Sequence, residues 1–452
     1  MIVHVPPSLQ EFCDRFSSVL TKVQRELLPA LLCGILLSRG KRTQASLAEG
    51  VQTRRRHKSS ISRLFRRACF RTRDLVAQVT QGMIEKVSTG VREAKRTWVL
   101  TIDGTATRRG SYTKIENAVQ YKEKSTSSKG KSTKAHTFLM GLLITETGAR
   151  IPVPRRTYYT KGYCKKRRRV HRTQQQLAAL MIRELTRLLP KDVHLVVVAD
   201  EYFEGKRLFG LCQKLGHTFI APVDSRRIFS DEKGRWRERT LHERGKSRKR
   251  TAQEVVLVRD KEETASYRRY APRRASPKDS RRYRVAHETR DVAKLGPAQV
   301  VYSWKGSRFR SGRDPSSESY KVLVCTDLEL PAEKVVEWYE LRWQIEVWFR
   351  ELKSHLGMGD FSGQDFPAFE RHVDLVMLAF ASQEWRRIAL LEAGPSPRIQ
   401  AQLVGARSFF MQKLLDVESQ RGDSRFLARC LKTEKFHDSL VLQMMPLLEK
   451  VA

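Results

Sequence analysis

None of the seven cysteines (Cys13, Cys33, Cys69, Cys164, Cys212, Cys325, Cys430) forms a CxxC pair, which excludes a zinc ribbon and a thioredoxin-like dithiol. An odd number of thiols among apolar neighbours suits buried, reduced cysteines in a cytosol. The longest apolar run, Leu28 to Leu37, is about ten residues and too short to span a bilayer. The first residues, MIVHVPPSLQEFCDRF, lack a basic stretch leading into an apolar one, so no secretory signal is expected. No internal repeat is visible. Acid is scarce too: 49 Asp and Glu stand against 87 Lys and Arg, a formal charge of +38. Such an excess asks for a polyanion, most simply a phosphate backbone, because each neutralised phosphate releases condensed counterions. A passive RNA-coating protein would satisfy the charge equally well.

What is present suffices for a large fold. The chain has 452 residues, 40% of them hydrophobic, room for two to four domains. Residues 1–95 show helical spacing, through Phe12, Phe16, Val19, Leu20 and Val23 and again through Leu28, Leu31, Leu32 and Leu36. Thr43 can cap a short helix. A basic turn containing Arg54 and Lys58 follows, and Ser59 or Ser60 can cap a second helix edged by Ser60, Arg63, Arg66 and Arg67. The pair fits a helix-turn-helix laid on DNA, with an ordinary basic helical face as the alternative.

From residue 96 to 226 the pattern becomes α/β. TWVLTIDGT and VHLVVVAD are apolar strands closed by Asp103 and Asp200, and HTFLMGLLIT and RIPVPRRTYYT read as further strands. The polar stretch Glu123 to Lys134 reads as a hairpin or loop, and RTQQQLAALMIRELTRLLP as an amphipathic helix stopped by Pro190. Residues 227–318 interrupt the pattern with short β-like pieces and many arginines, which suggests an inserted, basic, β-rich module. YKVLVCTDLEL then resumes the buried-strand pattern within a second part, 319–385, and a long helix is predicted from Pro331. Residues 386–452 read as C-terminal helices.

The segment YELRWQIEVWFRELKSHLG sets Tyr339, Arg342, Glu346 and Lys353 at offsets of 0, 3, 7 and 14, within roughly a 60° arc of an ideal helix. Taken alone, such a face is usually just solvated. Asp103 and Asp200 change the weighting, because strand ends are where α/β sheets keep ligands. Two aspartates and one glutamate could hold two divalent ions and support in-line phosphoryl transfer. Oxygen-only ligands suit Mg²⁺ or Mn²⁺.

With Tyr339, Arg342, Glu346 and Lys353 in place, the sequence resembles the DDE transposases of bacterial insertion sequences that carry a Y-x2-R-x3-E-x6-K signature. The resemblance extends from about residue 97 to 385. It implies an RNase H-like catalytic domain in which Asp103, Asp200 and Glu346 are catalytic and hold two Mg²⁺ or Mn²⁺ ions, while Tyr339, Arg342 and Lys353 grip DNA phosphates. It further implies binding of terminal inverted repeats, strand cleavage and transfer to target DNA, a homodimer on paired ends, and a nucleoid-associated place in the bacterial cytoplasm. Glu201 competes with Asp200 as the second ligand. Trp304 is the nearest candidate to hold a flipped base, though a core or surface role carries more weight. Asp327 reads as a cap rather than a ligand. A decayed, non-catalytic DNA-binding protein or a nuclease without joining activity remain open at this point.

Overall fold

The computed structural model describes residues 5–392, apart from residues 39, 51–57, 69, 90–94, 110–114, 123–131, 225, 231–235, 242–244, 246–247, 249–251, 260–266, 270–279 and 307–319. Five helices come first: α1 (Pro7–Asp14), α2 (Lys22–Leu37), α3 (Gln44–Gly50), α4 (Lys58–Arg67) and α5 (Thr72–Ser88). Of the apolar stripes read from the sequence, Phe12, Phe16, Leu20, Leu28, Leu31, Leu32 and Leu36 are buried, whereas Val19 and Val23 are exposed, because the helical spacing is broken by the turn between α1 and α2. α1, α2, α4 and α5 all pack on a helix from the far end of the described chain, α11 (Phe366–Glu392).

A mixed sheet follows. Its centre is β1 (Arg96–Arg108), paired antiparallel with β3 (Ser132–Ile144) and parallel with β5 (Val193–Ala199). β3 also pairs with β4 (Arg150–Thr157) and with the short β2 (Val119–Lys122), and β5 runs parallel to β6 (Thr218–Pro222). The resulting order, β4-β3-β1-β5-β6, is consistent with an RNase H-like arrangement. Leu195 to Ala199 are all fully buried although successive side chains alternate between faces, so both faces of this strand are covered. Between β4 and β6 lie α6 (Lys161–Lys166), α7 (Gln174–Thr186) and α8 (Lys206–Lys214). Thr173 opens α7 with a reciprocal capping box, its hydroxyl accepting from the Gln176 backbone while Gln176 accepts from its own.

The segment read as an inserted module carries β7 (Ile228–Ser230), β8 (Trp236–Thr240), β9 (Gln253–Arg259), β10 (Tyr267–Arg269), β11 (Ser280–Val292) and β12 (Gly296–Gly306). These strands continue the sheet rather than stand apart. β12 pairs with β13 (Tyr320–Cys325), and β13 pairs with β6. Trp304 is buried, its ring 5.3 Å from that of Tyr320, so it is a core residue.

After β13 come α9 (Ala332–Glu340) and α10 (Trp343–Arg350), then a π-helical turn at Glu351–His355, then α11. The predicted single long helix is thus divided. At Leu341 and Arg342 the backbone hydrogen bonds shorten to i→i+3, with Arg342 N–H donating to Tyr339 at 3.0 Å. Beyond Glu351 they lengthen, the Leu356 N–H reaching the Glu351 carbonyl at 3.0 Å. Of the C-terminal region expected over 386–452, residues 393–452 lie outside the described residues. No described helix is long and apolar enough to cross a membrane. Cys13, Cys33, Cys164, Cys212 and Cys325 are buried thiols.

Candidate active site

β1 and β5 run parallel, and their register ends at Ile102 opposite Ala199. The next residue on each strand is an aspartate, so Asp103 and Asp200 stand side by side where the two strands diverge. Neighbouring strands lie about 4.8 Å apart, which makes this adjacency a consequence of register alone. Asp103 is 14% exposed and accepts from the Gly104 N–H at 2.6 Å. Asp200 closes its strand by accepting from the Tyr202 N–H at 2.6 Å, capping the 3₁₀ turn Glu201–Phe203. Glu201 is exposed in that turn.

The third acid arrives on α10, which packs on β1. Arg342 lies between: its Nη1 is 3.6 Å from Asp103 Oδ2 and 3.5 Å from Glu346 Oε1. Burial raises the Asp103 pKa to about 7; the Gly104 hydrogen bond opposes this, while the charges of Glu346 and Asp200 add to it. Tyr339 is buried, which raises its phenol pKa. Its hydroxyl meets Lys321 Nζ at 3.4 Å. Burial lowers the ammonium pKa of Lys353 against the pull of Glu346 and Asp103. The four signature residues therefore share one electrostatic neighbourhood, although the backbone between them is not one ideal helix.

Two residues here escaped sequence reasoning. Lys321 is the second residue of β13 and touches Tyr339; a lone lysine in an otherwise apolar strand was the available signal. Trp343 is half exposed beside Arg342, a rarity for so large an apolar side chain on a packed helix. Asp327 accepts from the Glu329 N–H at 3.1 Å and caps a turn, whereas the cap position of α9 is Pro331.

The predicted DNA-reading residues lie elsewhere. Arg54 is outside the described residues, and Lys58 is the first residue of α4, its side chain likewise undescribed. Ser60 is half-buried and Arg63 exposed on α4, whose Ile61, Leu64 and Phe65 are buried. α3 and α4 touch one another.

The family model of the transposase DDE domain matches residues 95–381, more than half the chain. The chain belongs to the DDE transposases. Membership implies a metal-dependent enzyme with a DNA substrate. No curated protein shows significant similarity to the chain. Asp103, Asp200 and Glu346 offer oxygen donors alone, a set that fits Mg²⁺ or Mn²⁺ in this transposase. In the arrangement described, the guanidinium of Arg342 takes part of the cation's role. Among the described residues, no three His, Cys, Asp or Glu side chains are grouped closely enough to hold a metal ion.

Proposed function

We propose that the protein is the transposase of a bacterial insertion sequence, binding the element's terminal inverted repeats and catalysing strand cleavage and strand transfer. The observation that carries this is the placement of Asp103 beside Asp200 at two parallel strand ends, with Arg342 linking Asp103 to Glu346. Asp103, Asp200 and Glu346 would hold two divalent ions. When bound, such ions lower the pKa of an attacking water or 3′-hydroxyl and stabilise the leaving oxygen.

The chain's own residues supply the rest. Arg342 exchanges its carboxylate contacts for two oxygens of the phosphate beside the cut, a match its planar fork makes well. Lys353 adds a point charge. Tyr339 orients Arg342 and donates its hydroxyl to a phosphate oxygen. α3 and α4, with Arg54, Lys58, Ser60 and Arg63, lie against the repeat, and residues 227–318 form a basic insertion in the catalytic domain. Two copies act on paired ends in the bacterial cytoplasm, at the nucleoid.

A labelled fragment of the gene's own flank, incubated with protein and Mg²⁺, tests this. Asp103→Ala, Asp200→Ala and Glu346→Ala should each reduce cutting by at least about 10³-fold, since each removes charge stabilisation at the reacting phosphate, while DNA affinity stays within a few fold. Wild-type cutting by any one of them removes that residue from the site. Arg342→Ala should weaken the end complex, with a loss that shrinks as salt rises. A second reading, DNA binding without catalysis, is favoured by the absence of a metal-ready triad among the described residues. Retention of end binding with no cutting by the wild type would select it.

A further inference from the structure

A cleft of about 530 Å³ lies away from the three acids, between the start of α5, the end of β4, the α6–α7 connection and the start of α11. Seven guanidinium groups line it against two carboxylates, Glu370 and Asp374. Arg155 is already committed, pairing with Asp374 at 2.8 Å and Glu370 at 3.3 Å. Arg73 and Arg156 share one partly exposed carboxylate, Glu184. Among the described residues Arg371 donates to two backbone carbonyls, of Phe65 at 2.6 Å and Ala68 at 3.2 Å, which do not neutralise its charge. Arg71 and Arg172 are exposed, with no carboxylate partner among the described residues, and Arg169 lies over the Tyr159 ring.

Gathering these cations is unfavourable without an anion, because like charges a few ångströms apart repel even through partly exposed surroundings. The strain is visible at Arg156. Its Nε is buried without a hydrogen-bond partner, and burial, with Arg73 and Arg172 adding repulsion, lowers its pKa. Arginine forks are also the side chains best matched to phosphate oxygens.

Position points to a particular phosphate source. At one end the cleft meets the C-terminal turn of α4, where Arg66 and Arg67 are exposed. At the other, Arg169 and Arg172 lead into the first turn of α7. There Gln174 passes so close to Gly104 that a Cβ on Gly104 would stand 2.9 Å from its Oε1, and Gln175 donates to the Tyr202 carbonyl at 3.2 Å. A basic track therefore runs from α4 to the two strand ends that carry Asp103 and Asp200.

We propose that this arginine cleft is a second phosphate site, holding the phosphodiester backbone of duplex DNA between the α3–α4 pair and the carboxylates. The proposal rests on the DNA-cleaving function proposed above and adds a binding surface to it. The test uses the full chain and a 30-bp duplex of arbitrary sequence, because backbone contacts are sequence-independent. The variant carries Arg71→Gln, Arg169→Gln and Arg172→Gln, all exposed positions. Its affinity at 0.1 M salt should fall about 10- to 100-fold, and the slope of log affinity against log salt should flatten by roughly 2 to 3, near 0.9 for each phosphate that is no longer neutralised. Wild-type affinity and slope would overturn the proposal. If the triple variant melts early, Arg172→Gln alone should flatten the slope by about 1, and an unchanged slope there overturns it equally. Pyrophosphate is the second probe. If it binds the wild type but not the variant while both bind the duplex alike, the cleft serves a small phosphoanion and the proposal is wrong. A flattened slope together with a wild type that never cuts its own ends would instead sink the catalytic function and leave the cleft standing.

Discussion

Two clusters of charge in this protein obey opposite rules. Behind the sheet, Arg150 meets Glu351 at 3.1 Å and Glu384 at 2.6 Å, and Arg387 closes on Glu384 at 2.6 Å. All four side chains are at most 10% exposed. At the strand ends, Arg342 faces Asp103 and Glu346 at 3.5–3.6 Å, and Glu346 is 37% exposed. The first cluster is saturated: burial is offset by short, charge-assisted bonds, and Glu384 stays ionised with its pKa lowered. In the second, burial raises the Asp103 pKa to about 7, with the charges of Glu346 and Asp200 adding to it and Arg342 opposing it. A closed network holds elements together, in this case the π turn at Glu351 against α11 and β4. The open one leaves Glu346 partly exposed and holds its partners at longer range.

The largest expected effect breaks the closed cluster. Glu384→Ala leaves Arg150 and Arg387 buried without their shared partner and should cost about 3–5 kcal/mol in denaturant unfolding. A cost under about 1 kcal/mol would mean that the cluster is not structural. Next, Asp103→Asn should stabilise the protein at pH 8. The folded carboxyl binds its proton more tightly than the unfolded one, so stability falls as pH rises from about 4 to about 7. Three pKa units convert to about 4 kcal/mol, and residual solvent screening reduces the expected gain to roughly 1–3 kcal/mol. At pH 4 the variant and wild type should melt alike; equal melting at pH 8 would show that Asp103 is not strained.

Buried histidines set the opposite slope. Burial lowers the pKa of His136 and His372 to about 4, so the unfolded chain takes up protons that the fold refuses, and stability falls as pH drops from about 6.5 towards 4. The His136 ring lies tilted against Phe366, centroids 4.5 Å apart, and His136→Phe should flatten this acid limb, as melts between pH 7 and 4 would register. The smallest effect is at the surface. Arg226 is 85% exposed in its pair with Asp224, and Arg226→Ala should leave the melting temperature unchanged within error. A clear shift would blur the distinction between closed and open charge.

Much of the catalytic fold was legible because the apolar runs are long. β1, β5 and β13 lie where continuous Val, Leu and Ile predict buried strands, and α7 lies between the cap at Thr173 and the stop at Pro190. The division of the predicted helix at Leu341–Arg342 was not legible. Helical periodicity cannot see a turn of i→i+3 bonds followed by a π turn, since overwinding and underwinding leave the average nearly unchanged. Nor did the run Lys165, Lys166, Arg167, Arg168, Arg169, His171, Arg172 declare itself, because a basic loop in a chain of +38 resembles every other.

By itself, the sequence determined which segments are strands, that two of them end in aspartate, and that Tyr339, Arg342, Glu346 and Lys353 stand at signature spacing. Local patterning suffices for this, because apolar periodicity and capping depend on neighbours along the chain. Only the tertiary structure decided that β1 and β5 pair in a register that sets Asp103 beside Asp200, and that the strands after β6 extend the same sheet. It alone gathered Arg71, Arg156, Arg172 and Arg371 around one cleft. Those placements depend on contacts between residues far apart in sequence, and their cooperative packing leaves no mark on any single segment.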